Sequence, residues 1–482
     1  MSDLPESPPT GDLESEEFRR AGHAVIDWIA DYIAHPERLR VQPDVESGAL
    51  LDKLPEEAPV HPSPYGDILA DFEHTILPHV MHWNHPGFMG YFSAGGSSPG
   101  VLAETLSAAL NNVGLMWNSS PALTELEERT LQWLARLLGL PLSWFGMIHG
   151  TASTASLHAM IAAREFAASN AEKAGSTLDL NRLVIYTSEH AHSSVEKTTA
   201  ALGLGWEACR KIAVDERYAM KPDALREAIA SDLRNGFAPI AVVATVGTTG
   251  STAVDPVPAI ADIAAEHALW LHIDAAYAGA SAMLPEMRHH FAGCDRADSF
   301  VVNPHKWMFV PMDLTAFYTA RPEYLRNALS LVPEYLRSRE YSRTVNYMEY
   351  AVPLGRRFRA LKLWYVLRSF GSERIADALR EHIRLARLLA GWVDASPDFE
   401  RMAPTDFSLV CLRFRPEGAS EEETDAANER LMHAINATGE FFLSHTKLRG
   451  RYTIRVAIGN LRTTEEHVRR LWELLQGKAI YA

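Results

Sequence analysis

Short apolar runs that alternate with helical patterns constrain the fold of this chain more than any other feature of its sequence. Four runs rich in β-branched residues occupy 183–187, 240–246, 270–273 and 300–302, and helical spacing occupies 153–168, 222–229 and 256–267. Buried strands joined by helices form crossover connections, so the pattern predicts a mostly parallel sheet with helices on both faces. Ligands of such sheets bind at the C-terminal ends of the strands.

The regions on either side of this pattern predict smaller units. Residues 16–35 have the spacing of an amphipathic helix, and a proline-rich connector leads to a short helix at 65–79. After a long helix at 359–370, strand-like runs at 408–414 and 452–457 accompany helices at 421–437 and 465–476. We therefore expect an N-terminal helical segment at 1–80, a large α/β domain at 81–370 and a small α+β domain at 371–482.

Composition disfavours several classes of function. The chain has 46 Lys and Arg against 61 Asp and Glu, a net charge of −15, and no evident basic face for a nucleic acid. Its three cysteines lack C-x-x-C spacing, which argues against a disulfide framework or a zinc site. The N-terminus is acidic and proline-rich, typical of a disordered tail rather than a signal peptide, and no apolar run is long enough to cross a bilayer. We expect a cytoplasmic protein.

Two charged residues directly follow apolar strands, where a charge needs a partner. Lys306 belongs to the sequence NPHKW at 303–307, and burial would lower its pKa and make it an amine able to form a Schiff base. Asp274 ends the run at 270–274 and needs a cation or hydrogen bonds to stay ionised. The ring nitrogen of pyridoxal-5′-phosphate (PLP) is such a cation. Considered singly, each residue also fits an ordinary solvated or salt-bridged strand end.

Three further loops follow strands of the same predicted sheet. The turn HGTAST at 149–154 opens a helix and offers backbone N–H groups to a phosphate, although a plain helix cap has the same composition. A second turn at 247–250 contains Thr249, and the loop 189–194 contains His190 and His192. Two histidines without a third ligand do not predict a metal site, so an imidazole stacked on a flat cofactor is the better interpretation. Together, the five strand-end elements favour a PLP site.

On these residues the sequence resembles the group II pyridoxal-dependent decarboxylases, and among them the aromatic-L-amino-acid (DOPA, tryptophan or tyrosine) decarboxylases. The similarity extends from about residue 16 to near the C-terminus. Its motifs are NPHKW at 303–307, HIDAAYAG at 272–279, AHSSVE at 191–196 and PLGRRFR at 353–359. The resemblance implies the aspartate-aminotransferase-like fold (fold type I) of PLP-dependent transferases. It also implies an obligate homodimer with active sites at the interface, across which the N-terminal helices pack.

The resemblance further implies roles for individual residues. Lys306 would be the Schiff-base lysine, Asp274 would pair with the pyridine nitrogen, and His192 would stack on the ring. Ala276 would pack on the other face of the ring. The residues that match phosphate-binding positions, or lie beside the lysine, are Thr151, Ala152, Ser153, Thr249, Asn303 and His305. Tyr335, in a charge-rich segment that we interpret as a mobile lid, matches the tyrosine that delivers a proton to Cα.

The substrate side is predicted from fewer residues. The walls expected around an aromatic ring are Tyr91, Phe92, Val113, Leu115, Trp307 and Gly355. Leu115 replaces a phenylalanine of relatives with catechol substrates, and Thr151 replaces the more usual serine of the phosphate turn. Gly355 matches the aromatic type, whereas histidine-specific relatives have serine. No basic residue is evidently placed to receive a γ-carboxylate, which disfavours glutamate.

The expected activity is decarboxylation of DOPA, 5-hydroxytryptophan, tryptophan, tyrosine or phenylalanine to the amine and CO₂. One alternative is an aldehyde synthase on the same scaffold, which consumes O₂ and releases ammonia and peroxide. In similar enzymes a phenylalanine at the position of Tyr335 accompanies that reaction, so Tyr335 favours the decarboxylase. The same fold could also serve a decarboxylase of glutamate or aspartate, or a cofactor-binding scaffold without turnover. The presence together of Lys306, Asp274, His192 and Tyr335 disfavours the scaffold.

Overall fold

The structure, a computed structural model, describes residues 12–331 and 344–479. The expected N-terminal tail lies largely outside these residues. The helices are α1 Ser15–Ala34, α2 Tyr65–Asp71, α3 Ser98–Leu110, α4 Pro121–Leu138, α5 Ala152–Lys173, α6 Ser194–Ala201, α7 Pro222–Arg234, α8 Val257–Glu266, α9 Pro304–Trp307, α10 Pro322–Leu329, α11 Ala360–Ala395, α12 Glu421–Asn436 and α13 Glu465–Ala479. The strands are β1 Phe145–His149, β2 Leu183–Ser188, β3 Cys209–Ile212, β4 Ala238–Thr245, β5 Trp270–Asp274, β6 Ser299–Val302, β7 Thr315–Thr319, β8 Phe399–Arg401, β9 Leu409–Phe414, β10 Ser444–Leu448 and β11 Arg451–Ala457.

The described strands form two separate sheets. The larger has seven strands in the order β1-β7-β6-β5-β4-β2-β3. Of these seven, β7 runs antiparallel to both of its neighbours, and the other pairs are parallel. The smaller sheet is antiparallel, in the order β10-β11-β9-β8. The predicted α/β class with a mostly parallel central sheet is confirmed.

Alternate residues of β4 pack into hydrophobic cores on opposite faces of the large sheet. Val242 and Ala244 belong to a core that includes α4, α8 and part of α11. Ala241 and Val243 belong to a second core, built largely from α5. Side chains of a strand alternate between faces, so a strand covered on both faces needs apolar residues at every position. This requirement explains the continuous apolar run at 240–246.

The long helix α11 links the two sheets. Its first part packs on the large sheet, whereas Leu385, Leu389 and Val393 pack with the small sheet, α12 and α13. The helix that we predicted at 359–370 therefore continues to Ala395. Gly371 interrupts it with φ of 70° and ψ of 163°, a backbone conformation that glycine adopts readily. The prediction ended at this interruption.

The N-terminal helices lie on the surface of the rest of the chain. The amphipathic helix α1 forms as predicted, but none of its residues is buried, and Phe18 is 67% exposed. Trp28 packs edge-on against Phe72 at 5.1 Å between ring centres, and the Tyr32 hydroxyl hydrogen-bonds to Nδ1 of His82 at 3.0 Å. Most of the apolar stripe is thus half-buried within one chain, and Phe18 stays exposed. Among the described residues, none of the helices has the length and apolar character needed to span a bilayer.

The register of the central strands determines where the candidate functional residues meet. Thr245 of β4 lies opposite Asp274 of β5, which lies opposite Val301 of β6. The segments that follow these three strands therefore leave the sheet at the same edge. They are the turn 247–250, the residues after Asp274 and the turn 303–306.

A buried ion pair stabilises β1, the strand that leads into the turn at 149–154. Arg356 donates to Glu127 on α4 and, through Nη2, to the carbonyl oxygen of Ile148 at 2.8 Å. Glu127 also accepts the backbone N–H of Ile148 at 2.7 Å. The side chains of Arg356 and Glu127 are only 5% and 1% exposed. Because both side chains are buried, water cannot solvate either charge if the other is removed.

We expect Arg356→Ala to lower the free energy of unfolding by about 3–5 kcal/mol, because it leaves Glu127 buried without its counter-ion. Differential scanning calorimetry measures the effect as a lower unfolding temperature. The matched control is Arg401→Ala, which removes a partly exposed pair with Asp394 and should change the unfolding temperature much less. Equal effects of the two substitutions would contradict the importance of burial.

Candidate active site

One cavity of about 200 Å³ opens at the shared edge of the strands. All ten residues predicted to bind the cofactor line it, namely Thr151, Ala152, Ser153, His192, Thr249, Asp274, Ala276, Asn303, His305 and Lys306. Five other lining residues were not predicted from the sequence, and these are Ser194, Thr245, Gly247, Tyr277 and Met312. Ser194 and Tyr277 belong to two of the motifs quoted above, so their positions in those motifs could have identified them as residues of the site. The structure thus brings all five strand-end segments singled out from the sequence, and Met312, to a single site.

Lys306 lies on the short helix α9, where its backbone N–H donates to the carbonyl oxygen of Asn303 at 2.9 Å. Its Nζ is 5.5 Å from the centre of the Phe92 ring. Burial lowers the pKa of Lys306, the negative charge of Asp274 opposes the shift, and the positive charge of Arg455 adds to it. A lowered pKa enlarges the neutral, nucleophilic fraction of the amine.

Asp274 ends β5 and is 6% exposed. Its Oδ1 accepts the backbone N–H of Ala276 at 3.0 Å, which orients the carboxylate at the end of the strand. Among the described residues no hydrogen-bond donor reaches the other oxygen. A carboxylate held in this way, in a cavity that also contains an amine, is suited to bind a cationic ring nitrogen.

Two histidines of the cavity are oriented by backbone N–H groups. Nδ1 of His192 accepts the N–H of Ser194 at 3.1 Å, and Nδ1 of His305 accepts the N–H of Leu314 at 3.1 Å. Burial lowers the pKa of His305 to about 4, and it also lowers the pKa of His192, against the opposing charge of Asp274. With Nδ1 as acceptor, the neutral form of each ring carries its hydrogen on Nε2.

Another part of the cavity lining has features of an anion site. Thr151 caps α5, its hydroxyl accepting the backbone N–H of Thr154 at 3.3 Å, and the positive end of this 22-residue helix meets the cavity. Gly247, at φ of 87°, begins the turn that carries Thr249. A Cβ atom at Gly247 would lie 2.6 Å from Cβ of Ala278, so this turn requires glycine for both its conformation and its packing.

The predicted substrate residues are divided among several places. Phe92 is buried beside Lys306 and stacks on Tyr277 with 3.6 Å between ring centres. Trp307 is fully buried and stacks on Tyr277 from another side, at 4.8 Å, without lining the cavity. Within one chain the indole ring of Trp307 therefore lies in the core, and Tyr277 lies between it and Phe92 and lines the cavity.

The remaining predicted substrate residues also lie away from the cavity. Tyr91 is 51% exposed, and its ring packs against Trp83 and Phe442. Val113 and Gly355 are exposed neighbours, with Leu115 in the same segment as Val113. None of them lines the cavity within one chain. Tyr335 lies outside the described residues.

Arg455 is a buried cation that was not predicted from the sequence. Its guanidinium donates to the carbonyl oxygen of Gly250 at 3.2 Å, to Oγ of Ser444 at 2.8 Å and to the carbonyl oxygen of Tyr91 at 3.2 Å. It lies 5.2 Å from the centre of the Phe92 ring. Within the described part of the chain it has no carboxylate partner, so its charge acts on the site. The available signal was an arginine between the apolar residues Ile454 and Val456 of β11.

Comparison with known proteins identifies the class to which this site belongs. Residues 48–415 match the family model described as the pyridoxal-dependent decarboxylase conserved domain. A phenylacetaldehyde synthase of Arabidopsis thaliana is 40% identical over 479 residues, which cover 97% of each chain. An aromatic-L-amino-acid decarboxylase of Catharanthus roseus is 38% identical, covering 96% of this chain and 94% of that protein. The crystal structure of Oryza sativa TDC with PLP and tryptamine has a TM-score of 0.94 at 35% identity, covering 98% of this chain and 99% of that one.

The chain belongs to the pyridoxal-dependent decarboxylase family, and the predicted fold of PLP-dependent enzymes is confirmed. It is an amino-acid decarboxylase that uses PLP. The residues of the cavity fit this cofactor, because an amine of lowered pKa, a buried carboxylate and a helix N-terminus surround one space of suitable size.

The electrostatics of the cavity predict opposite effects of two substitutions on Lys306. Asp274→Asn removes a charge that raises the pKa of Lys306, so the pKa should fall. Arg455→Met removes a charge that lowers it, so the pKa should rise. The measurement is the pH dependence of Lys306 acetylation in PLP-free protein, followed by mass spectrometry. The labelling midpoint should move to lower pH in the first variant and to higher pH in the second. Arg455→Lys, which keeps the charge, is the control, and shifts of the same sign would refute this account of the charges.

Proposed function

We propose that this protein decarboxylates an aromatic L-amino acid to the corresponding amine and CO₂, with PLP bound covalently to Lys306. The observation that carries the proposal is the convergence of Lys306, Asp274 and His192 on one cavity. An aromatic substrate is supported by the names of the relatives, one an aromatic-L-amino-acid decarboxylase and one a structure with tryptamine.

When bound, PLP supplies an electron sink for the electron pair that remains after CO₂ leaves. Asp274 holds a proton on the ring nitrogen, and Lys306 is the point of covalent attachment. His192 and Ala276 pack on the ring. The residues that hold the phosphate are Thr151, Ala152, Ser153, Thr249 and Asn303, together with the N-terminus of α5, and His305 lies beside the lysine. The neutral state of His305 adds no second positive charge next to Lys306.

The proton that replaces CO₂ at the substrate Cα comes from Tyr335. This assignment rests on the sequence motif, since the position is outside the described residues. Tyr335 would donate its phenol proton to Cα and regain one from water. Without this donor the aldehyde synthase alternative, which consumes O₂, would be favoured.

The walls of the cavity favour a flat apolar substrate over an acidic one. Tyr277 lines the cavity with an aromatic ring, and Phe92, which does not line it, stacks on Tyr277 and lies beside Lys306. Arg455 is the nearby cation with which the side-chain carboxylate of an acidic substrate would pair. Its guanidinium, however, already donates to three neutral acceptors. Glutamate and aspartate therefore remain as controls in the substrate test rather than as the preferred substrates.

The functional unit is a homodimer with active sites at the interface. Support comes from apolar surface that one chain leaves uncovered, on α1 and at Leu102, Leu106 and Leu110 of α3. Val113, Leu115 and Gly355 approach the cavity of the second copy, which accounts for their distance from their own. The chain divides into an N-terminal segment (1–80) that packs across the dimer, a PLP-binding domain (81–370) and a small domain (371–482). Three buried free thiols are compatible with a cytoplasmic location.

The test is a product screen with purified, PLP-loaded protein over DOPA, 5-hydroxytryptophan, tryptophan, tyrosine, phenylalanine, glutamate and aspartate. We expect CO₂ and an amine from at least one aromatic substrate, without stoichiometric peroxide. Lys306→Ala should abolish both turnover and the visible absorbance of the bound cofactor. Amine formation from glutamate or aspartate alone would overturn the substrate class, and turnover by Lys306→Ala would overturn the role of the lysine.

Tyr335→Phe should shift the product from amine toward aldehyde, with peroxide and ammonia formed in parallel, because the proton donor is removed. The matched control is Tyr341→Phe, which makes the same chemical change six residues further along the same segment. Product ratios are measured by chromatography and a coupled peroxide assay. An unchanged amine yield in Tyr335→Phe would remove this residue from the proton-donor role.

A further inference from the structure

His382 on α11 lies behind the cavity and contacts the residue next to Lys306. The indole N–H of Trp307 donates to Nδ1 of His382 at 3.0 Å, and both side chains are buried. The Trp307 ring also stacks on Tyr277, with an interplanar angle of 10°, and Tyr277 stacks on Phe92. Trp307 is therefore held by the packing of the core, by stacking on Tyr277 and by a hydrogen bond that His382 accepts.

The donors and acceptors allow a single protonation state for His382. An indole N–H only donates, so Nδ1 must accept and carries no hydrogen. Nε2 lies 3.0 Å from the carbonyl oxygen of Asn460, which only accepts, so Nε2 must carry the hydrogen. Burial lowers the pKa of His382 to about 4, which keeps this neutral form at physiological pH.

The hydrogen bonds continue from His382 to the N-terminal segment. The side-chain amide of Asn460 donates to the carbonyl oxygens of Trp83 at 3.3 Å and His85 at 3.2 Å. Asn460 also accepts the backbone N–H of Arg462, whose guanidinium donates to the carbonyl oxygen of Ile33 on α1. One connected path therefore joins the turn that carries Lys306 to the helix that has no buried residue of its own.

We propose that His382 is a positioning residue, which orients Lys306 by holding Trp307 through Nδ1. The proposal deepens the proposed function and rests on Lys306 as the cofactor-binding lysine. Lys306 and Trp307 are neighbours on a four-residue helix, so the fixed indole anchors the short stretch of backbone that carries the amine. A small misplacement of a reacting group reduces turnover strongly.

Two nearly isosteric substitutions separate the two hydrogen bonds of His382. In His382→Asn the side-chain oxygen takes the place of Nδ1 and keeps the acceptor for Trp307. In His382→Gln the side-chain nitrogen takes the place of Nε2 and keeps only the donor to Asn460. We expect kcat of PLP-loaded His382→Gln to fall by about 10- to 100-fold with little change in KM, and His382→Asn to stay near the parent. A histidine that only stabilises the fold would affect both variants alike and leave kcat per folded protein unchanged.

A double-mutant cycle tests whether His382 acts through Trp307. Trp307→Phe keeps the stacking ring and removes the donor, so adding His382→Gln to it should cause little further loss of kcat. Multiplicative losses would overturn the proposal. Cofactor content and unfolding temperature are measured for every variant, so that kcat refers to folded, loaded protein.

The labelling of Lys306 in PLP-free protein gives a readout that does not require activity. We expect the pH midpoint of acetylation to move in His382→Gln and to stay at the parent value in His382→Asn. A shifted midpoint in a protein that makes no amine would refute the proposed function and support the positioning role. An unshifted midpoint with parental kcat in His382→Gln, in an active decarboxylase, would overturn the positioning role alone.

Discussion

The structure depends on the register of three parallel strands. Because Thr245, Asp274 and Val301 are paired across β4, β5 and β6, the segments that follow them leave the sheet together. A shift of one residue in any strand would turn each side chain to the opposite face and separate the amine from the carboxylate. The apolar residues on both faces of β4 specify this register, so the packing of the core and the geometry of the site have the same cause.

Two charged neighbours shift the pKa of Lys306 in opposite directions. Burial and Arg455 both favour neutral Lys306, whereas Asp274 favours the ammonium. The three neutral acceptors of Arg455 hold it without cancelling its charge. A carboxylate paired with Arg455 would have removed that influence. The lowered pKa of Lys306 is therefore a property of the whole cavity rather than of the lysine and its nearest partner.

Sequence reasoning succeeded where local signals were strong. The strands at 240–246 and 270–273 are largely apolar runs, and the residues that follow them were predicted to meet, as they do. Sequence reasoning missed β1, β3 and β7 of the large sheet and β8 and β10 of the small sheet. The sequences of β3 and β7, CRKI and TAFYT, mix polar with apolar residues. Sequence reasoning also predicted Trp307 beside the substrate, whereas the described chain buries the indole in the core. Adjacency in sequence to Lys306 does not determine the direction of the side chain. The stacking partner Tyr277 and the hydrogen-bond partner His382 determine that direction.

Long-range contacts make the site a property of the whole chain. His382 is 75 residues from Trp307, and Asn460 is a further 78 residues along, so no local pattern could reveal their connection. Through them, the turn that carries Lys306 is connected to the N-terminal helix α1, whose apolar stripe is half-buried on the surface of the chain. The hydrogen-bonded path therefore joins the backbone that carries the amine to residues from three distant parts of the sequence.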